Sequence, residues 1–293
     1  MDKVTTVNMN AVLVWNVEAT LGEGPMWSVA EQALWFVDIK QGLLHRLAGD
    51  GDRKTVAIGG QPSFVLPAHA GGLVVGSGRE LLTVVDGEVT GRLAAIDMPA
   101  GNRTNDATTD TLGRLWFGTM DSEQTAPHGR VYCWDGRLRE VGCACPITNG
   151  PAISPDGRLL YHVDTLDGII WRFTIDSVSG GLSSGAVFVA INPADGWPDG
   201  VTVDAEGHLW VGLWNGWSLR RYDPSGALVA TVEMPCANVT KVAFGGADLR
   251  TAYVTTASYG MSQVARANQP YAGGLFSFAA PAPGLPVVPV AAA

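Results

Sequence analysis

No run of about 18 apolar residues, the length a membrane-crossing helix needs, occurs anywhere in the chain, which excludes a transmembrane helix. The first residues, Met1 to Asn8, lack the positively charged flank of a secretory leader, and the apolar stretch from Ala11 to Trp15 is cut by Asn16, so no leader is expected. Charge is scarce too. Only 16% of residues are charged, and 19 Lys and Arg against 28 Asp and Glu leave a net −9. So few cations argue against nucleic acid or an anionic membrane as partner. There are four cysteines, Cys133, Cys143, Cys145 and Cys236. A chain of this size needs no disulfide staples, and Cys143-x-Cys145 lacks both the two-residue gap and the second pair of a zinc site. They read as reduced thiols of a cytoplasmic protein. A Gly-x-Ser-x-Gly elbow is also missing, which disfavours a serine nucleophile.

What is plentiful is glycine, with 37 residues, alongside 17 prolines and a 46% hydrophobic content. That combination suits a well-buried core joined by many turns rather than long helices. The clearest unit starts at Pro198-Asp199-Gly200. Strands at 200–204 and 208–213 flank a turn with Asp first and Gly fourth. Trp217 to Tyr222, the turn Asp223-Pro-Ser-Gly226, and Ala227 to Glu233 complete four strands and two tight turns. A four-stranded antiparallel unit of about forty residues is a propeller blade.

The unit repeats. Second-strand cores are centred on Trp35, Val74, Trp116, Tyr161, Trp210 and Tyr253, at steps of 39, 42, 45, 49 and 43 residues. Third-strand segments follow each core, at 43–47, 80–85, 130–134, 169–173, 218–222 and 275–278. Six such pairs predict an all-β, six-bladed β-propeller of four-stranded antiparallel blades around a central channel, in one domain spanning 1–293. A strand at about 9–17 is expected to pair with the last blade and close the ring, removing exposed edges. The tail is expected to lend Val287-Val288 to an edge, with 280–293 partly frayed.

Strand parity sorts the polar residues. In an antiparallel blade, the entrance to the first strand and the loop between strands two and three share one face. The turns Asp110–Gly113, Pro155–Gly157, Asp204–Gly207 and Asp223–Gly226 fall on the other and are expected to be structural. Stepping back 11–12 residues from each core centre gives Glu23, Asn105, Asn149, Asp199 and Lys241, while blade two offers only Pro62-Ser63. Innermost strands line the channel, so these side chains are expected to converge at one mouth. Two carboxylates and two amides there are costly to bury without a cation. Oxygen donors suit a hard or borderline divalent ion. The five histidines fall elsewhere, so a three-histidine zinc site is not indicated. Arg103 shares the Asn105 loop, and Asp121 and Glu123 follow on the same face. Trp197, Trp214 and Trp217 stand there as an aromatic wall or as blade packing, and 258–272 is the candidate lid.

These motifs together carry a resemblance. Leu21-Gly-Glu-Gly-Pro25-x-Trp27, Arg103-x-Asn105-Asp106, Gly118-Thr119-Met120, Thr148-Asn149-Gly150 and Pro198-Asp199-Gly200 resemble, in order, those of the SMP-30/gluconolactonase/regucalcin-like family of six-bladed propellers. Tyr161-His-Val-Asp164-Thr165-Leu166 and Asn238-Val-Thr-Lys241 are most similar to its bacterial sugar-acid lactonases, such as xylonolactonase. The resemblance implies one divalent metal held by Glu23, Asn149 and Asp199. It implies substrate contacts from Arg103, Asn105 and an acid aligning with Glu123, although Asp121-Ser122-Glu123 departs from the usual acidic pair and leaves Asp121 open.

The expected reaction is hydrolysis of an aldonolactone, a 1,4- or 1,5-lactone of xylonate, arabinonate or gluconate type. The cation polarises the carbonyl, and Asp199, or hydroxide on the cation, activates water. Iron(II), zinc, manganese and calcium all remain compatible. A calcium-binding regulatory protein without turnover and a phosphotriesterase-like hydrolase stand as alternatives on the same fold. The oligomeric state is left open.

Overall fold

Six sheets, each of four antiparallel strands, are built from consecutive stretches of the chain, save for one strand. The computed structural model describes residues 9–293. The expectation about a leader at 1–8 lies outside the described residues. Blade one comprises Gly22–Ser28, Ala33–Asp38, Leu43–Ala48 and Arg53–Ala57; blade two comprises Pro62–Pro67, Leu73–Ser77, Glu80–Val85 and Glu88–Ala95. Blade three comprises Asn102–Thr109, Leu115–Asp121, Gly129–Trp134 and Leu138–Cys145; blade four comprises Thr148–Ile153, Leu159–Asp164, Ile169–Thr174 and Ala186–Ala190. Blade five comprises Trp197–Val203, Leu209–Trp214, Ser218–Tyr222 and Leu228–Glu233.

Blade six is assembled from both ends of the chain. Asn238–Gly245, Thr251–Ala257 and Leu275–Ala279 supply three strands, and Val12–Trp15 supplies the fourth. Val12 lies opposite Ser277 and Leu13 opposite Phe276. This is the ring closure expected for the 9–17 segment, and it leaves blade six paired to the first strand of the fold. The innermost strands adjoin one another in cyclic order, blade six meeting blade one.

Between blades the second-strand cores pack as anticipated, with Trp116, Phe117, Trp210, Phe36 and Tyr161 all buried. A large indole in that position needs a partner for its N–H. The opposite-face turns provide it. Asp110 accepts from Trp116 Nε1 at 2.9 Å and from the Leu112 and Arg114 amides, and Asp204 accepts from Trp210 Nε1 at 3.0 Å and from the Glu206 and His208 amides. One carboxylate thus closes the turn and pins the core tryptophan six residues later.

The tail does not extend a sheet edge through Val287-Val288. It crosses the turn face instead. Ala205 N–H donates to Pro283 O, Thr109 Oγ1 to Val288 O, Val290 N–H to Pro67 O and Ala291 N–H to Gly113 O. Val290 is fully buried, and residues 285–288 line one cavity with Met26, Val201, Lys241 and Phe244 from the innermost strands. An Ala- and Pro-rich segment forms no regular strand, yet its carbonyls bond to the loops it passes. The turn-face end of the channel is thereby covered, and the site sits at the other mouth.

Candidate functional site

Every innermost strand carries one extra residue at the same place in the repeat. Glu23 pairs with Val37 but Met26 with Trp35; Thr104 pairs with Thr119 but Ala107 with Phe117. Asn149 pairs with Val163 but Ala152 with Tyr161; Pro198 pairs with Leu213 but Val201 with Val211. Blades two and six slip likewise after Pro62 and Val239. A bulge bends a strand and re-aims its side chains. Here it falls on the residues picked out at the strand entrances. The backbone demands it makes explain two glycines. Gly24 has φ +55°, with a Cβ position 2.9 Å from the Phe64 Cα, and Gly150 has φ +72°, with a Cβ position 2.8 Å from Val201 Cγ2.

The bulges bring Glu23, Arg103, Asn105, Asn149 and Asp199 into one cavity of about 700 Å³. All five are at least nine-tenths buried. Blade two lines none of the cavity; Ser63, at its entrance, is spent on Thr104 Oγ1 at 2.8 Å. The polar residues form a connected chain. Arg103 Nη1 donates to Asn105 Oδ1 at 2.8 Å, Asn105 Nδ2 donates to Asn149 Oδ1 at 2.8 Å, and Asn149 Nδ2 donates to Thr165 Oγ1 at 2.9 Å. Glu23 accepts from the Gly24 amide at 3.0 Å.

Beneath them lies a second pair. Lys241 does not stand at the entrance, as the stepping rule placed it; Asn238 lines the cavity there instead. Blade six slips between Val239 and Lys241, and the lysine reaches inward to Asp106 Oδ1 at 2.5 Å. The other Asp106 oxygen is buried without a partner. Glu23, Asp106 and Asp199 therefore face Arg103 and Lys241, one negative charge in excess when all are ionised. Proton affinities respond. Burial, reinforced by Asp106, pushes Glu23 up to about 8. Burial, then Glu23 and Asp106, holds Asp199 well above the usual carboxylate range. Burial brings Arg103 down to about 10, against the pull of Glu23 and Asp199. Two desolvated carboxylates short of countercharge and an amide oxygen at one mouth fit a divalent cation.

The loop between strands two and three of blade three departs from expectation. Glu123 is exposed and lines no part of the cavity; Ser122 and Gln124 do. Asp121 is buried, and its carboxylate accepts the amides of Glu123, Thr125 and Ala126 at 3.1, 3.0 and 3.0 Å, which hold it below the usual range. Fixed as a turn cap, Asp121 turns the loop so that Glu123 points outward. Trp197 and Trp214 line the wall, whereas Trp217 is 42% exposed and stands outside it. The candidate lid is a roof: Tyr259, Met261 and Ala265 border the cavity, with a short helix Gln263–Asn268 capped by Ser262. It is tied down by Gln269 Oε1, which accepts from the Ala237 amide at 2.7 Å. Lys40 Nζ stands 4.4 Å from the Tyr259 ring centre at the rim.

Thr165 lies in the Tyr161–Leu166 motif, but the motif assigns it no role; the approach of Asn149 does. Among the described residues, Asp204, Glu206 and His208 also bring potential ligand atoms together. That cluster lies on the turn face, where Arg221 already bonds Asp204 at 2.7 Å and Glu206 at 2.9 Å.

Known proteins share this fold and sequence pattern. A sequence profile described as "SMP-30/Gluconolactonase/LRE-like region" matches residues 21–258. A pentonolactonase of Haloferax volcanii is 35% identical over 257 residues, covering 85% of this chain and 86% of its own. Regucalcin of Sus scrofa is 32% identical over 301 residues, covering 98% of this chain and 100% of its own. Among solved structures, a calcium-binding protein, regucalcin, from Agrobacterium tumefaciens superposes with a TM-score of 0.92 at 27% identity, covering 98% of this chain and 99% of that one. Among the described residues, no helix is long and apolar enough to cross a membrane.

Proposed function

Because the chain belongs to the SMP-30/gluconolactonase/LRE-like family, we propose that it is a sugar lactonase opening an aldonolactone to the aldonic acid with the help of one divalent cation. The observation that carries the reading is the pair Glu23 and Asp199, buried together at one mouth and both driven above the usual carboxylate range. With Asn149 Oδ1 they form an all-oxygen donor set. A cation bound there would supply Lewis acidity toward the lactone carbonyl oxygen.

The remaining work falls to this chain's own side chains. Asp199 takes a proton from the water that attacks the carbonyl carbon. As the ring C–O bond breaks, the departing ring oxygen takes up that proton, leaving the open hydroxy acid. Arg103, donor-only and aimed into the cavity, binds ring hydroxyls. Asn105 has little left to offer a ligand, since its oxygen accepts from Arg103 and its nitrogen donates to Thr148 O and Asn149 Oδ1. Trp197 and Trp214 present apolar surface to the carbon face of the ring. Glu123 would reach a substrate only after its loop turned over. The lactonase of Haloferax volcanii acts, by its name, on pentonolactones, and five- and six-carbon lactones are the substrates proposed here, met in the cytoplasm during sugar oxidation.

A calcium-binding protein without turnover would use the same oxygens. The chamber of about 700 Å³ above them favours an enzyme, because a cation store needs no such room. Metal-stripped protein, assayed on five- and six-carbon aldonolactones with iron(II), zinc, manganese and calcium restored in turn, separates the two. Asp199→Ala is expected to lose at least about 10²–10⁴ in turnover with its fold retained. Retention of most of the native rate by that variant would sink the assignment.

A further inference from the structure

We propose that Thr165 is a positioning residue for the cation site: its hydroxyl oxygen holds the Asn149 amide so that Oδ1 is turned toward the ion. The inference rests on the assignment of Glu23, Asn149 and Asp199 as ligands.

An amide side chain has two ends of nearly equal size, and only the oxygen end ligates a hard cation. Which end faces the ion is set by its neighbours. The polarity starts at Arg103, whose guanidinium can only donate. Its Nη1 meets Asn105 Oδ1, so the amino end of Asn105 is the one facing Asn149. Asn149 must therefore offer oxygen on that side. A carbonyl oxygen has two lone pairs, and the second is left for a cation. The amino end then points the other way and needs an acceptor, which Thr165 Oγ1 supplies at 2.9 Å. All four residues are at least nine-tenths buried and border the cavity, so a lost partner leaves its donor or acceptor without a fixed replacement.

The backbone of Thr165 is held independently of its hydroxyl. Its amide donates to Ile147 O at 3.3 Å and its carbonyl accepts from Gly168 at 3.2 Å. Valine at this position keeps the branched shape and removes only the acceptor. The Asn149 amino group then lacks its acceptor, so the side chain is anchored only through Asn105 and Oδ1 is no longer fixed toward the cation.

The test is calorimetric titration of manganese(II) into the metal-stripped full chain, with melting curves alongside. Thr165→Val is expected to weaken manganese binding about ten- to hundredfold, and Thr165→Ser to stay within about threefold of native. Thr165→Ala, which also lacks the oxygen, carries the same expectation should valine disturb the turn. Asn149→Asp supplies the control, since a carboxylate has two equivalent oxygens and no wrong end. Adding Thr165→Val to it is expected to change affinity by less than about threefold. Near-native binding by Thr165→Val, or an equal loss in both backgrounds, would overturn the proposal, the latter pointing to packing. A native chain that binds no manganese at all would instead remove the cation assignment, and this inference with it.

Discussion

Glu23 offers the most exposing perturbation, because it ties the fold's stability to the occupancy of the site. Its folded proton affinity corresponds to about 8 against an ordinary 4.5. Below 4.5 both folded and unfolded chains hold the proton, and the carboxyl costs the fold nothing as a charge. Between 4.5 and 8 the unfolded chain releases the proton while the folded chain keeps it, so stability falls as pH rises. Above 8 the buried charge is unavoidable and the loss is complete. Each tenfold in proton affinity is worth about 1.4 kcal/mol, so the gap amounts to roughly 5 kcal/mol at most. Asp199, displaced in the same direction by burial and by Glu23 itself, steepens the decline. The assay is denaturant unfolding of metal-stripped protein at intervals from pH 5 to 9. The native chain is expected to weaken progressively across that window, and Glu23→Gln to show a much flatter profile and greater stability at the alkaline end. A divalent cation takes the proton's place, so adding one should flatten the native profile and release about one proton or more per ion at pH 7. Parallel profiles for native and Glu23→Gln would refute the reasoning.

Other expectations follow from the scaffold. Gly24→Ala forces a side chain into φ +55° against the Phe64 backbone, and should lower stability by about 1–3 kcal/mol, read as a lower melting temperature. Asp204→Ala strands the Trp210 indole N–H and leaves the Arg221 guanidinium with Glu206 as its remaining carboxylate inside blade five. It should cost about 3–5 kcal/mol in unfolding free energy while leaving the KM for lactone unchanged at temperatures where the variant is folded. Removing residues 280–293 uncovers the turn-face end of the channel. Loss of buried Val290 alone is worth about 1.5–3 kcal/mol, and urea midpoints should fall while manganese affinity holds.

Much of the architecture was legible because it is periodic and local. An Asp-x-x-Gly turn specifies itself within four residues, and the Trp116 and Trp210 cores announce the second strands. The six-fold phase of those cores then located Glu23, Asn149 and Asp199 without knowledge of any contact between them. Closure by Val12–Trp15 was foreseeable as well, since a ring must dispose of its edges. Legibility ended where a side chain's direction depends on a distant partner. Asp121 reads like any loop acid until three amides converge on it, and that convergence is what turns Glu123 away. Lys241 occupies the right phase for the mouth, but the slip after Val239 sends it down to Asp106.

The sequence by itself determined the repeat, the number of blades, and which face of each blade carries the turns and which the acids, because these follow from spacing along one strand and the next. Only the tertiary structure decided how those residues meet. The run of hydrogen bonds from Arg103 to Thr165, the buried Asp106–Lys241 pair and the tail drawn across the channel all join segments tens to hundreds of residues apart. Their geometry depends on how blades pack around the axis, and no local pattern of residues encodes that.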